Sequence, residues 1–471
     1  MNQELRQSIF KKKMLYNKYN KVKSKKNWEK YRAQRNFVNK IKRKSVRNYF
    51  IERCVGGPKT KDFWPTIKPF LTNKGSYFEN NIILCDNDNI INDQSKVANM
   101  FNDFFVNVAK DIGSDCTVDQ NHPSIKAIYN NCRTEGNLIF ECIEEKFVEK
   151  QINKLGINKA TGKDGLSVKI LKLAKPAVVT PITKLINKSI EHSVFPDKLK
   201  EAQVVPLHKK NSQLEVGNYR PVSILPVVSK FFERAIFKQL VDFFQNIFHP
   251  YLSAFRAGYG CQTALLKIIE DWKKAIDDNQ YIAAVLMDLS KAFDCLPHDL
   301  LILKLKAYGL SETALSLIDS YLSKRKQCVK VGIDISTWKD IYKGVPQGSI
   351  LGPVLFNIFL NDIFHFVSNS SLYNYADDNT LSYSHSDIDT VVNILEKESL
   401  ELINWFSLNH MKANPDKFQA IAIGKKTENK NISFNLDGNI IHCEKEVKLI
   451  GVTIDYQLKF DAHISNICKK A

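Results

Sequence analysis

Two adjacent aspartates set between strand-like runs constrain this chain more than any other feature. In Ser371-Leu372-Tyr373-Asn374-Tyr375-Ala376-Asp377-Asp378-Asn379-Thr380-Leu381-Ser382-Tyr383, aromatic and β-branched residues flank the pair. That pattern predicts a β-hairpin with the carboxylates at its tip. Neighbouring side chains on a strand face opposite sides, so adjacent aspartates share a site only at a turn. Packed together, two carboxylates repel, and one ordinarily takes up a proton unless a divalent cation supplies the missing charge. The pair is either half of a Mg²⁺ site for phosphoryl transfer or a solvated turn. Tyr-x-Asp-Asp alone favours the solvated turn, and a third carboxylate elsewhere in the chain decides between them.

A candidate third carboxylate lies upstream. Tyr281-Ile282-Ala283-Ala284-Val285-Leu286-Met287 is a nearly continuous apolar run, the pattern of a strand buried on both faces, and it ends in Asp288. A carboxylate at the end of a buried strand is costly unless it is paired or bound to metal. Asp288 and Asp377 are 89 residues apart. If their strands are neighbours, about 4.8 Å apart, three carboxylates meet at one edge. That arrangement suits two Mg²⁺ ions about 3.5–4 Å apart, holding the attacking and leaving oxygens of an in-line displacement. Mg²⁺ prefers oxygen ligands and keeps several waters, so few protein ligands suffice and no His/Cys cluster is needed.

Charge bears on the partner. The net charge is +18, but residues 1–60 hold 19 Lys/Arg against 3 Glu, a net of +16, and the remainder carries 49 basic against 47 acidic residues. The basicity is therefore a localised arm, which points to a polyanionic partner or to a solvated helix or localisation signal. Apolar residues at Trp28, Tyr31, Val38, Ile41, Val46 and Tyr49 mark one face of a helix. Met14 to Val22 forms a shorter helix before it, and Gly56-Gly57-Pro58 ends the element. No apolar run is long enough to span a bilayer, and Met1–Arg6 lacks a signal-peptide core. The ten cysteines are scattered without Cys-x-x-Cys pairs or zinc-ligand spacing, so they are expected to be reduced thiols in an intracellular protein, cytosolic or nuclear.

The 471 residues suffice for two or three domains. Val97, Phe101, Phe104, Phe105 and Val108 predict an amphipathic helix with Asn92 or Asp93 as N-cap, a polar loop follows from Gly113 to Pro123, and Ile143 to Leu155 is a further helix. Lys159–Leu166 is a basic, glycine-containing loop. Val204–Lys210 reads as a strand ending in two lysines, and Asn218–Ser223 follows a polar turn. Lys209 or Lys210 with Arg220 could grip a triphosphate, the lysine as a point charge and the arginine as a fork, or the pair could be an exposed basic hairpin. Pro221–Pro226 opens a helix through Val228–Phe244, and a second helix starts at Pro297 and stops at Gly309. Gln327–Gly332 pairs with Trp338–Lys343. Gly344–Pro353 is a tight turn launching a helix through Phe366, with Ser349 as its N-cap. Ile388–Asn409 is helical, and Phe418–Ile423, Ile432–Asn435 and Val447–Ile454 are strand-like.

From Lys159 onward, ordered blocks resemble the reverse transcriptase of non-LTR (LINE-like, jockey-type) retrotransposons. The blocks are Lys159–Leu166, His208–Ile224, Ala284–Leu310, Gly344–Asp362, Asn374–Asp378, Asn404–Ile423 and Val447–Ile464. Each alone is weak, but their order and spacing are specific. The resemblance implies an α+β fold, a right-hand polymerase with fingers and an antiparallel palm sheet backed by helices, preceded by the basic helical arm. The divisions it implies are arm 1–60, N-terminal extension 61–150, fingers 151–275, palm 276–430, and primer grip with the start of a thumb 431–471. It maps Asp288, Asp377 and Asp378 onto the metal-binding carboxylates, with Asp377 as the main bridging ligand. Phe293 resembles the aromatic that blocks a ribose 2′-hydroxyl, and it also suits a core. Gln347 falls in the Pro-Gln-Gly turn against nucleotide and template, while Arg220 and one of Lys209 and Lys210 match the triphosphate-binding residues. Lys417 resembles a general acid for pyrophosphate or is a solvated lysine, and Leu449–Val452 resembles the primer grip.

The implied activity is RNA-directed DNA polymerisation with two Mg²⁺ ions, for which Mn²⁺ could substitute. The implied partners are an RNA template, a DNA primer or target and dNTPs, with no membrane, and the implied compartment is the nucleus; the oligomeric state is left open. Against the family pattern, the upstream endonuclease of full-length elements is not in this sequence, which stops just after the primer grip; the expectation is an incomplete copy or a partial gene model. An inactive nucleic-acid-binding remnant is the alternative. An RNA-dependent RNA polymerase is disfavoured by Phe293, and a group II intron maturase fits the fingers blocks less well.

Overall fold

A computed structural model describes residues 3–54, 82–86, 89–108, 118–132, 137–157, 159–427 and 430–469. The chain divides into two compact units, Met1–Asn80 and Asn81–Ala471.

In the first unit, helices Gln3–Lys21 and Lys25–Cys54 form an antiparallel hairpin. Both run longer than the apolar periodicity alone predicts. Lysine and arginine are good helix formers, and neither segment contains a glycine or proline to interrupt them. Leu5, Val38 and Ile41 close a small core, and Gln34 Nε2 donates to the Ser8 carbonyl across the pair (3.1 Å). The Gly56-Gly57-Pro58 stop lies outside the described residues.

The second unit is built on two sheets with helices packed against them, an α+β arrangement. The first sheet is antiparallel throughout. Its central strand is Tyr281–Ser290, with Asp378–His385 and then Ser371–Tyr375 on one side and Gln419–Ile423 and Lys412–Ala413 on the other. The central strand is buried on both faces, as its composition requires. Ala283, Val285, Met287 and Leu289 face the main core with helices Leu351–Leu360 and Ile388–Leu408. Ile282, Ala284 and Leu286 face a smaller core with helix Cys261–Asp277 and the hairpin Glu446–Leu449/Val452–Asp455. The strand does not end at Asp288 but runs on to Ser290, because Lys412–Ala413 pairs with its last two residues.

The second sheet orders Tyr219–Ile224, Glu201–His208, Arg325–Val331 and Asp334–Ile335, with Lys339–Ile341 also on Arg325–Val331. Here Pro221–Ile224 differs from the expected helix opening. Pro221 lies opposite Pro206 and Val222 opposite Val205, so these residues form a strand, and the helix begins at Ser229. Helix Gln94–Asn107 packs on this sheet, capped by Asp93 as expected. The start of the loop expected from Gly113 lies outside the described residues, and its last residue, Pro123, already opens helix Pro123–Asn131.

One polar lock sits inside the main core. Lys304 and Asp362 are both fully buried and ion-paired (2.6 Å), Trp405 Nε1 donates to the other Asp362 oxygen (2.8 Å), and Lys304 Nζ also donates to the Phe359 carbonyl (2.8 Å). Desolvation lowers the Lys304 pKa to about 8 against the pull of Asp362. Among the described residues no helix is long and apolar enough to cross a membrane.

Candidate active site

The Asp-Asp pair sits at the tip of a two-strand hairpin. Asp378 opposes Tyr375, and Ala376 turns the chain with φ +58°. The same strand pairs with the central one in a register that sets Asp378 directly opposite Asp288. Directly opposed residues share a face of the sheet, so these two carboxylates are neighbours, with Asp377 beside them on the turn. Asp288 follows Ile282, Ala284 and Leu286 in the alternation and so opens on the smaller-core side.

The charges of these groups act on one another. The Asp378 carboxyl is pushed up to about 6, first by thinned solvation and then by Asp377 and Asp288, while Lys209 opposes the shift. Its side chain is exposed to solvent. Burial holds the Lys209 ammonium below the usual lysine range, helped by Arg220 and Lys417 and opposed by Asp377 and Asp288. Lys209 sits in the turn after Glu201–His208, where its N–H donates to the Asn218 carbonyl (2.9 Å). Arg220 lies opposite Leu207 on the next strand. Lys209 and Lys210 are both exposed, and Lys209 feels the charges of Asp377 and Asp288.

Lys417 is held at the site from the other side. Asn414 N–H donates to the Asp288 carbonyl (3.1 Å), docking the Pro415–Lys417 turn, and Lys417 Nζ reaches Asp288 Oδ2 (2.5 Å).

Beyond Asp288 the chain turns at Lys291 (φ +51°) into the short helix Ala292–Cys295. This helix carries Phe293 and Asp294. Phe293 is half-buried, stacked on Phe356 (4.2 Å) and edge-on to Phe255 (5.9 Å). Asp294 accepts from Gln347 Nε2 at both oxygens (2.9 and 3.0 Å). Burial pushes the Asp294 carboxyl up to about 6, opposed by that hydrogen bond and by Lys291.

The Pro-Gln-Gly turn is fixed on three sides. The Gln347 carbonyl accepts from Ser223 N–H (2.8 Å). Gly348 has φ +110°, and a Cβ there would lie 2.9 Å from the Ser223 carbonyl oxygen, so only glycine fits. Ser349 Oγ accepts from Gly352 N–H (3.0 Å), as expected of a cap. Buried Glu233 accepts from the Ile350 and Leu351 N–H groups (2.6 and 3.1 Å), occupying the helix N-terminus. Burial nevertheless raises its pKa.

Asp294 and Glu233 were not singled out from the sequence. Glu233 did leave a signal, since it shares the helical face of Ser229, Phe232, Ile236 and Leu240, where an acid must be answered by a buried donor.

Hard carboxylate oxygens are the ligands a divalent cation such as Mg²⁺ prefers, and the register brings Asp288 and Asp378 together beside Asp377. Among the described residues, no group of three or more His, Cys, Asp or Glu side chains is arranged to hold a metal ion.

The family model described as "Reverse transcriptase (RNA-dependent DNA polymerase)" matches residues 207–454. The chain is 29% identical over 331 residues to the probable RNA-directed DNA polymerase from transposon BS of Drosophila melanogaster, covering 68% of this chain and 36% of that protein. It is 27% identical over 331 residues to the RNA-directed DNA polymerase from mobile element jockey of the same organism, with the same coverage. A third relative, the probable RNA-directed DNA polymerase from transposon X-element, is 28% identical over 317 residues, or 66% and 35% of the two chains. The chain thus spans about a third of the length of these curated relatives.

Proposed function

The chain belongs to the reverse transcriptase family, on its LINE-like, non-LTR side, and from that premise we propose that it extends a DNA primer on an RNA template. The observation that carries this reading is the register of Asp378 against Asp288 with Asp377 at the adjoining turn. In this reading residues 151–275 are fingers, 276–430 palm and 431–471 the primer-grip region, with 61–150 as an extension and 1–60 as a nucleic-acid-binding arm.

Asp288, Asp377 and Asp378 would hold two Mg²⁺ ions, or Mn²⁺ in their place, which supply Lewis acidity at the primer 3′-hydroxyl and neutralise the departing pyrophosphate. Asp377, at the turn and outside the strand pairing, would be a principal ligand. Lys209 and Arg220 grip the triphosphate, their mutual repulsion relieved by its negative charge. Lys210 stands next to Lys209 as an alternative contact to the triphosphate. Phe293, braced by Phe356, excludes a ribose 2′-hydroxyl. Gln347, anchored through Asp294 and Ser223, presents the turn to nucleotide and template. Lys417 balances the charge of Asp288 and is the nearest donor for a proton to pyrophosphate.

The test is primer extension by the full chain on an RNA template with dNTPs and Mg²⁺, beside the Asp377→Ala variant. Incorporation lost by at least about a hundredfold in the variant supports the reading. Incorporation that Asp377→Ala leaves unchanged defeats it. Tight template binding without any incorporation would favour the inactive remnant instead.

A further inference from the structure

The helical hairpin Gln3–Cys54 carries a group of side chains that polymerase chemistry does not use. Four rings line its closed end. Tyr16 meets Tyr31 (centroids 5.1 Å), Tyr19 meets Trp28 (5.1 Å), and Trp28 meets Tyr31 (5.6 Å), forming one strip across both helices. The hairpin already has a closed core farther along, where Leu5, Val38 and Ile41 are 4%, 4% and 7% exposed. At the closed end, by contrast, Tyr16 remains 45% exposed and Trp28 37%. These rings join the helices and still present faces to solvent.

The polar surroundings of the strip are one-sided. Lys18, Lys21, Lys23, Lys25, Lys26 and Lys30 are all exposed, and Glu29 is the single acid between Met14 and Tyr31. Open aromatic faces among unopposed ammonium groups are the pairing that single-stranded nucleic acid uses, with phosphates on the lysines and bases on the rings. A duplex buries its base faces in its own stack and could use only the lysines. Asn17, Asn20 and Asn27 break the apolar surface that a lipid bilayer would need.

We infer that the closed end of this hairpin binds single-stranded RNA or DNA, stacking unpaired bases on Trp28 and Tyr16. This deepens the assignment of the arm to nucleic acid and does not depend on the aspartates.

The test uses the full chain carrying Asp377→Ala, so that no extension occurs, and follows anisotropy of labelled 20-nucleotide RNA and DNA single strands and of the matching duplex. Tyr16→Leu with Trp28→Leu is expected to weaken single-strand binding on the order of tenfold and to leave duplex binding and the salt dependence unchanged. Tyr16→Phe with Trp28→Phe, which keeps the rings, should retain the affinity. Replacing Lys21, Lys23, Lys25 and Lys26 by Gln should flatten the salt dependence for single strand and duplex alike. Stacking is refuted if the leucine pair binds single strands normally, if single strand and duplex weaken together, or if the phenylalanine pair loses as much as the leucine pair. It is likewise refuted if phosphatidylserine vesicles bind with the same dependence on Trp28. If the glutamine variant also binds normally, the arm itself is not a nucleic-acid contact. The RNA and DNA arms show which strand is preferred.

Discussion

Replacing Gly348 by alanine should damage the Pro-Gln-Gly turn by two additive routes. The first is backbone strain: φ is +110°, which costs an L-residue about 1–2 kcal/mol. The second is steric, because the new Cβ would sit 2.9 Å from the Ser223 oxygen. Ser223 cannot easily retreat, since it pairs with Val204 in the sheet and its N–H donates to the Gln347 carbonyl. The turn must move instead, weakening that bond and the grip of Gln347 on Asp294, each worth about 1 kcal/mol. The total is about 2–4 kcal/mol. Gly332→Ala is the internal control, with φ +63° and nothing within 4 Å of its Cβ, so it should cost only the strain of about 1 kcal/mol. Urea unfolding of the two variants measures the difference, and steady-state primer extension should show a raised dNTP KM for Gly348→Ala alone. Equal stability and equal KM in the two variants would refute the packing argument.

Protonation gives a second expectation. Asp378 is pushed up to about 6, so the folded chain binds a proton there that the unfolded chain, near 3.8, has already released. Stability from this group therefore falls as pH rises from about 4 to 6, and Asp378→Asn should unfold at higher urea than the parent at pH 7 but not at pH 4. Extension activity should fall below about pH 6, with the limb moving lower as Mg²⁺ is raised; a limb indifferent to Mg²⁺ would contradict the carboxylate site. Asp362→Ala strands Lys304 uncompensated in the core and should cost about 3–5 kcal/mol in urea melts, whereas a loss under 1 kcal/mol would mean the pair is dispensable. Phe293→Val should raise ribonucleotide incorporation relative to deoxynucleotide, read by single-nucleotide extension, and an unchanged ratio would make Phe293 a packing residue only.

What was legible in the sequence was whatever repeats locally. The apolar run ending at Asp288 and the aromatic runs around Asp377 each fix a strand by composition, and Gly309 (φ +95°) ends its helix as the sequence implies. Ordered blocks then carried the family. Strand pairing was less legible. That Asp378 opposes Asp288 depends on which strands adjoin, and no local pattern encodes that. Pro221–Ile224 misled because proline opens helices as readily as it sits in short strands, and the partner strand decided. The tie of Gln347 to Asp294 and that of Lys417 to Asp288 join residues 53 and 129 positions apart, so they were visible only in the fold.

The ten-residue strand Tyr281–Ser290 is tied to both hydrophobic cores by strict alternation, and this sets its tolerance to genetic damage. A swap of one apolar residue for another within it changes a volume and costs a kcal/mol or so. A one-residue in-frame deletion before Asp288 instead exchanges the side chains on one side of it between the two cores, so that Asp288 and the residues before the deletion no longer keep their common register. The strand thus keeps a reading frame of its own, in space rather than in codons. For copies of such a sequence that have drifted, the number of residues between Tyr281 and Asp288 is a sharper guide to surviving chemistry than their identities.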